Sequence, residues 1–314
     1  MLNRRHIRIK VMQALYAFKG NESEDLKVSD NFLNHSLNNM YDLYLSILSL
    51  IIEVHKKAED HQNKTQKKFL ATKAEKNPSL KFLQNEVLMM LGANEALKAE
   101  LEHRKLNPWY LDFEYVDIAF KAITESDLYK DYMSTPASTF KEDKNFVISI
   151  FEDIIAPNDK LYDYFEDKKL TWLDDIPVVN TSILKLLKKL KPSTPEKHFL
   201  PNLFKDEDDR EFGVDLLKKT ILNQSSFSEE IASKTKNWDS ERITQIDTAL
   251  MQMAICEFQK FPSIPVKVTI NEYLEIAKEY STPKSSNFIN GILDKIIKDY
   301  KSENKFNKVG RGLL

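Results

Sequence analysis

Three features of the sequence predict an all-α fold. Only six of the 314 residues are glycine, against a usual share of about 7%, so tight turns and glycine-rich ligand loops are few. Apolar residues recur at steps of three and four along most of the chain, which is the period of a helix with one buried face. Helix boundaries are also marked, by a capping box at Thr269–Glu272 and by the stop-and-start sequence Ser281–Pro283.

The first half of the chain contains five predicted helical stretches. They cover residues 4–19, 33–55, 82–104, 113–123 and 143–156. Residues 55–81 carry eight lysines against three acidic residues, which fits either a solvated helix or linker, or a second basic contact surface. Pro192, Pro195 and the acidic cluster 206–209 mark the clearest linker.

An internal repeat relates two parts of the chain. A shift of 66 residues places 146–188 on 212–254 without a gap, and it places Trp172 on Trp238. Either a true duplication or apolar periodicity alone produces such a match. In both cases each segment should fold as a helix, a second helix, a tryptophan-bearing turn and a third helix.

The last hundred residues are predicted to form three helices. Trp238 precedes a buried face that runs from Ile243 to Phe258, and the loop Phe261–Pro265 cannot stay helical. Gly291 lies inside the last helix, where a glycine costs about 1 kcal/mol relative to alanine. We therefore expect another helix to approach closely at Gly291.

Composition and motifs argue against an enzyme. No GxGxxG, Walker, HExxH or GxSxG pattern is present, and the six histidines are scattered. The single cysteine, Cys256, excludes an intramolecular disulfide and a multi-cysteine zinc site, and it is interpreted as core packing rather than as a nucleophile. The acidic cluster 206–209 is interpreted as a solvated linker rather than a cation site. We expect no catalytic residue, no cofactor and no metal.

The cellular environment follows from what the sequence lacks. No apolar run approaches the ~18 residues of a membrane helix, and the basic N-terminus is not followed by an apolar signal segment. We expect a cytoplasmic protein without a membrane partner. The formal net charge is −2, so affinity for nucleic acid has to come from a local patch.

Such a patch begins the chain. Basic residues cluster at the start of the first helix, where the helix dipole disfavours them: Arg4, Arg5, His6, Arg8 and Lys10. Arginine pairs bidentately with phosphate and stacks on unpaired bases, and Tyr16 could add a stacking surface. Nucleic acid, an acidic protein partner and a plain solvated terminus remain alternatives. The apolar stripe from Ile7 to Phe18 should enter the bundle, with the arginines beyond its edge.

Several motifs resemble one family. Residues 4–16 read Arg-Arg-x-x-Arg-x-x-x-x-Gln-Ala-Leu-Tyr. The C-terminal part adds, in order, the motifs that begin at Trp238, Pro262, Glu275 and Ser285, including Ile270-Asn271-Glu272 and Asn287-Phe288-Ile289-Asn290-Gly291. Together these resemble the NusB family of transcription antitermination factors, over roughly residues 3–20 and 206–300.

The resemblance implies an all-α RNA-binding bundle. NusB-like factors bind the single-stranded boxA element of ribosomal RNA transcripts with ribosomal protein S10 (NusE), and join the other Nus factors on the RNA polymerase elongation complex. The resemblance assigns RNA contacts to two groups of residues: Arg4, Arg5, His6, Arg8, Lys10 and Tyr16 in the N-terminal group, and Lys284, Ser285, Asn287 and Phe288 in the C-terminal group. The C-terminal group should lie beside the N-terminal group. Asp247 matches an acidic position on the side that faces NusE, and a helix-start charge is the alternative.

The chain also departs from the family pattern. Lys284 replaces a usually acidic residue, while Ile9 and Gln252 replace usually charged ones. The predicted domains are a NusB-like domain of residues 1–20 plus 206–300, a helical insertion at 21–205, and a flexible tail at 301–314. The insertion would contain 146–188 as a degenerate repeat of 212–254, with Thr181 in place of Asp247.

Two other functions fit part of the pattern. Some ribosomal RNA cytosine methyltransferases begin with a NusB-like module, but that function needs a downstream glycine-rich cofactor domain and a catalytic cysteine. A NusB-fold protein-interaction module with altered or lost RNA binding is the stronger alternative.

Overall fold

A computed structural model of the protein describes residues 1–20, 26–67, 77–235, 243–306 and 308–309. Within these ranges the regular structure is helical and contains no strand, so the all-α prediction is confirmed. Trp238 and Arg242, which belong to the motifs that suggested the family, lie outside the described residues.

Fifteen α-helices are present in the described ranges. They are α1 Arg4–Gly20, α2 Leu26–Gln66, α3 Glu86–Gly92, α4 Glu95–His103, α5 Pro108–Leu111, α6 Phe113–Glu125, α7 Asp127–Met133, α8 Phe140–Ile150, α9 Asp159–Lys168, α10 Ile176–Lys188, α11 Glu207–Leu222, α12 Gln224–Thr235, α13 Gln245–Lys260, α14 Val266–Tyr280 and α15 Ser285–Ser302. A π-helical turn, Phe151–Ile155, follows α8, and 3₁₀ turns form at Leu170–Trp172 and Glu196–Phe199.

The chain divides into two compact units. Unit 1 comprises Met1 and Asn38–Asn202, and unit 2 comprises Leu2–Leu37 and Leu203–Leu314. The division falls inside α2, between Leu37 and Asn38. The domain boundary predicted after residue 20 therefore differs from this division and stays a prediction.

Unit 2 is built around α13. Its side chains from Ala249 to Phe258 are buried, and it packs against α1, α11, α12, α14 and α15. Helix α1 approaches α11 closely at Gly213, where an added Cβ would lie 2.8 Å from Ile7 Cγ2. The close approach expected at Gly291 is wrong, since nothing lies within 4 Å of a Cβ placed there.

Unit 1 holds its helices with buried aromatic side chains. Trp109 donates from Nε1 to the Ser46 carbonyl and the Ser49 hydroxyl of α2, and Trp172 donates to the Asn39 carbonyl. The order of α8, α9, the Leu170–Trp172 turn and α10 is the order predicted for residues 146–188. Residues 82–104 do not form one helix as expected, because α3 ends at Gly92 and Asn94 caps the start of α4.

Two predicted boundaries are also wrong. Thr269 and Glu272 do not form a capping box, because α14 begins at Val266 and both residues lie inside it. Residues 301–306 and 308–309 are not a flexible tail: α15 continues to Ser302, and the Val309 amide donates to the Pro262 carbonyl. Lys308 Nζ donates to the carbonyls of Glu257 and Phe261 at 2.9 Å each. The side chain is partly buried, and this burial lowers the pKa of Lys308 to about 8.

Candidate nucleic-acid interface

The first turn of α1 presents two arginines on the surface of unit 2. Arg4 Nε donates to Asp209 Oδ1 at 2.8 Å, and the guanidinium lies 5.1 Å from the centroid of the Phe212 ring. Arg5 makes a bidentate pair with Glu272, with both donor–acceptor distances at 2.9 Å. This pairing raises the pKa of Arg5 and lowers the pKa of Glu272. The two arginine side chains remain 41% and 40% exposed, so both are oriented by a carboxylate yet accessible to a ligand.

Arg8 differs from its two neighbours. Its side chain is 2% exposed and pairs bidentately with the buried carboxylate of Glu257 at 2.7 and 2.9 Å. Thr269 and Tyr273 donate to the same carboxylate, at 3.0 and 2.7 Å. Burial opposes the charged form of Arg8, but Glu257 outweighs it and the pKa of Arg8 is raised.

The expectation that every N-terminal cation projects past the core is therefore wrong. Arg8 continues the apolar stripe into the interior because Glu257 is there to neutralise it. Lys10 is buried as well. Neither side chain is accessible to a phosphate in this structure, so neither is available for the direct RNA contact that the resemblance implies.

A groove of about 460 Å³ runs beside the exposed arginines. One wall is Asn3, Arg4, Arg5 and His6, and the other is Ser263, Ile264, Pro265 and Val268, with Arg8 and Glu272 between them. The groove thus combines guanidinium groups with an apolar wall, which suits a phosphate and an unstacked base. The loop Ser263–Pro265 belongs to one of the motifs in the sequence, but nothing there indicated that it would face the arginines.

The second predicted group divides by burial. Lys284 and Asn287 are exposed and Phe288 is half-buried, whereas Ser285 is buried. The Ser285 hydroxyl donates to Asp247 at 3.0 Å, so it stabilises the interior. These residues are not among those that line the arginine groove. Their predicted position beside the arginines stays a prediction.

Asp247 is the fixed centre of a buried polar cluster. It is 1% exposed and forms a capping box with Thr244 at the start of α13. It also accepts hydrogen bonds from Ser281 and Ser285, at 2.7 and 3.0 Å. The structure therefore gives its carboxylate an internal role, in place of the partner-facing position expected from the sequence.

The remaining candidate groups show no reactive arrangement. Cys256 is fully buried, and burial raises the pKa of its thiol to about 12, as expected for a packing residue. Among the described residues, no cluster of three or more histidine, cysteine or acidic side chains could hold a metal ion. No helix in the described ranges is long and apolar enough to cross a membrane.

Tyr16, the aromatic residue among the N-terminal candidates for RNA contact, is 51% exposed on α1.

Comparison with known proteins supplies the family. The family model described as NusB matches residues 183–298. The transcription antitermination protein NusB of Salinibacter ruber is 40% identical over 119 residues, which are 37% of this chain and 74% of that protein. The chain belongs to the NusB family.

Two further NusB proteins are similar to this chain. Transcription antitermination protein NusB of Chloroherpeton thalassium is 38% identical over 129 residues, covering 41% of this chain and 61% of its own. That of Acetivibrio thermocellus is 41% identical over 93 residues, covering 30% and 64%. No solved structure matches the chain. These NusB relatives support a role in transcription antitermination, although the NusB family match does not include α1.

Proposed function

We propose that this protein is a transcription antitermination factor that binds boxA-type RNA of ribosomal RNA transcripts together with ribosomal protein S10. The observation that carries the proposal is the groove between the arginines of α1 and the loop Ser263–Pro265. The NusB relatives support the process, and the groove supports RNA as the ligand.

The geometry suits phosphate recognition. Arg4 uses its Nε for Asp209, and no other hydrogen bond of this guanidinium is formed within the described residues, so both terminal nitrogens can meet a phosphate. Arg5 uses Nε and one terminal nitrogen for Glu272, which leaves the other terminal nitrogen. Because the carboxylates already fix the side-chain rotamers, less conformational entropy is lost when RNA binds.

The proposed RNA contacts therefore fall on the accessible residues. Arg4 and Arg5 supply phosphate contacts, His6 borders the groove, and Tyr16 offers an exposed ring for a base. Lys284, Asn287 and Phe288 extend the proposed surface. The proposal assigns no S10 contact to Asp247, because its carboxylate is occupied internally.

The test measures binding of a boxA RNA, with and without S10, over a range of salt concentrations. Arg4→Ala plus Arg5→Ala should weaken binding roughly tenfold per arginine and reduce the salt slope by about 0.7 per lost phosphate contact. Lys278→Ala is the control, since Lys278 is an exposed cation of α14 that pairs with Glu275 and is not among the residues that line the groove. Equal affinities and slopes for the double variant and the control would reject the RNA assignment.

One observation favours a second candidate function. Arg4, Arg5 and Arg8 each have a carboxylate partner, so the cluster could act mainly as a clasp between α1 and the bundle. The protein would then be a NusB-fold interaction module that binds S10 with altered or lost RNA binding. S10 binding that is equal with and without RNA, and unchanged in Arg4→Ala plus Arg5→Ala, would support this alternative.

A further inference from the structure

Lysines are concentrated at and just beyond the end of α10. Between Ile183 and His198 there are five lysines and one glutamate, although the whole chain has a formal net charge of −2. Four of these lysines are exposed and form no ion pair with any residue that the structure describes: Lys185, Lys189, Lys191 and Lys197. We call these four residues the lysine patch. The fifth, Lys188, lies 3.6 Å from Glu152.

Local hydrogen bonds make the lysine patch compact. Lys185 and Lys189 are one helical turn apart, or about 6 Å along the axis of α10. The chain then folds back, because Thr194 Oγ1 accepts from the Lys191 amide at 2.8 Å. His198, next to Lys197, makes a 3.2 Å hydrogen bond with the Leu186 carbonyl in the last turn of α10. All four lysines therefore belong to one end of the helix.

The carboxylate nearest in sequence to the lysine patch is hydrogen-bonded to another helix. Glu196 accepts a hydrogen bond from the Ala96 amide at the start of α4, at 3.1 Å. Lys144 of α8 adds a further cation, with its Nζ 3.3 Å from the Leu190 carbonyl. Among the described residues Glu152 pairs with Lys188 and no carboxylate forms an ion pair with the lysine patch, so this end of α10 keeps an excess of lysines over paired carboxylates.

Other lysines of unit 1 show the contrast. Lys56, Lys98, Lys121 and Lys130 each have an acidic partner three or four residues away on the same helix. Such spacing is the usual way to keep a solvated helix soluble and nearly neutral. A helix C-terminus favours one or two cations in its last turn, but Lys191 and Lys197 lie beyond the helix. An external anion would account for the whole set.

We propose that the lysine patch is a second, sequence-independent binding surface for the phosphate backbone of single-stranded RNA. Lysine is a compact point charge without arginine's fork, so it favours phosphate without selecting a base. The identity of the anion as RNA rests on the proposed function, whereas the patch itself rests on charge and exposure alone.

The experiment uses the full chain and two probes, oligouridylate RNA and boxA RNA. The patch variant changes all four lysines of the patch to Gln, and the control variant changes Lys56, Lys98, Lys121 and Lys130 to Gln. Both variants lose the same formal charge from exposed positions of unit 1. Circular dichroism and thermal melting check that both remain folded.

The wild-type protein should bind oligouridylate weakly and with strong salt dependence. The patch variant should lose about 0.7 of the salt slope for each phosphate contact removed, or up to about 3 in total, while the control variant keeps the wild-type slope. Equal losses in the two variants, or no oligouridylate binding by the wild type, would overturn the proposal. Polyglutamate that binds the patch as tightly as RNA of equal charge would also overturn it, in favour of an acidic protein partner.

The two probes separate this inference from the proposed function. If boxA RNA binds no better than oligouridylate but the patch variant still loses binding, the proposed function fails and the lysine patch stands. If boxA RNA binding depends on Arg4 and Arg5 while oligouridylate binding is insensitive to the patch variant, the reverse holds.

Discussion

Residues 146–188 and 212–254 follow the same order of helices but stabilise their third helix differently. In the first segment α10 is preceded by Trp172, whose indole donates to the Asn39 carbonyl of α2 at 2.7 Å. In the second, Asp247 in the first turn of α13 is buried and hydrogen-bonded to Ser281 and Ser285. The position equivalent to Asp247 is Thr181, which is exposed and donates only within its own helix, to the Pro177 carbonyl.

A second aligned position shows the same hydrogen bond with the roles exchanged. Tyr164 donates its phenol to Asp112 at 2.8 Å, whereas Glu230 at the equivalent position accepts from Tyr300 at 2.8 Å. A phenol and a carboxylate thus meet in both segments, but each segment supplies a different partner. The order of helices follows from the apolar spacing that the two segments share, whereas the polar groups distinguish segment 146–188 from segment 212–254.

The largest effect should come from the buried ion pair on α13. Glu257→Ala removes the bidentate countercharge of buried Arg8, whose next carboxylate, Glu272, is 3.9 Å away, so the free energy of unfolding should fall by about 3–5 kcal/mol, as measured by urea denaturation. Arg8→Met plus Glu257→Leu should recover most of that loss, because apolar groups can replace a buried pair. A double variant as unstable as Glu257→Ala would show that α13 depends on the charges themselves.

A smaller loss of stability is expected from a substitution of Trp172, which precedes α10. Trp172→Phe removes the indole donor to the Asn39 carbonyl and reduces the buried ring volume, which together should cost about 1–3 kcal/mol in the free energy of unfolding. Thermal melting of the variant provides the measurement. Leu170→Ala is the control, since Leu170 lies in the same turn but is largely exposed. Similar melting temperatures for Trp172→Phe and the control would contradict this role.

The aligned pair Asp247 and Thr181 should respond unequally. Asp247→Ala removes the capping box and two hydrogen bonds from serines, so we expect a loss of about 1–2 kcal/mol. Thr181→Ala changes an exposed side chain and should stay within about 0.5 kcal/mol of the wild type. Chemical denaturation of both variants tests the difference, and equal losses would mean that the two aligned positions contribute equally to stability.

The smallest expected effects are the pH dependences that Glu230 and Asp112 give to the free energy of unfolding, which have opposite signs. Burial raises the pKa of Glu230, so its contribution to stability is present at low pH and is lost as pH rises through the raised pKa. Lys168 and Tyr164 lower the pKa of Asp112, so its contribution is present above the unfolded pKa and is lost as pH falls.

Unfolding measured between pH 3 and pH 7 tests both signs. The stability difference between Glu230→Gln and the wild type should move in favour of the variant as pH rises. The difference between Asp112→Asn and the wild type should move in favour of the wild type over the same interval. Parallel trends in the two variants would disprove the exchange of roles.

The helices could be predicted from the sequence because each buries one apolar stripe of regular period. The faces of α1, α13 and α15 and the order of the helices in 146–188 all follow from that spacing. The interior polar pairs did not follow. Arg8 can be buried because it pairs with Glu257, which lies 249 positions farther along the chain. Spacing within one helix contains no information about such a distant partner.

Local capping rules failed where tertiary contacts competed with them. Thr269 and Glu272 have the spacing of a capping box, yet Thr269 donates to Glu257 and Glu272 pairs with Arg5. The capping box of α13 uses Thr244 and Asp247 instead. The groove wall Ser263–Pro265 was missed for a related reason, since a loop's neighbours depend on how two distant helices pack.

The burial of Cys256 makes the folded protein convenient for fluorescence labelling. Because this is the single thiol of the chain and its pKa is raised to about 12, maleimide reagents should leave the native protein unmodified. A cysteine introduced at an exposed position such as Thr181 would then carry the only dye. Protein labelled there would report RNA arriving near α10 without any need to remove the natural thiol first.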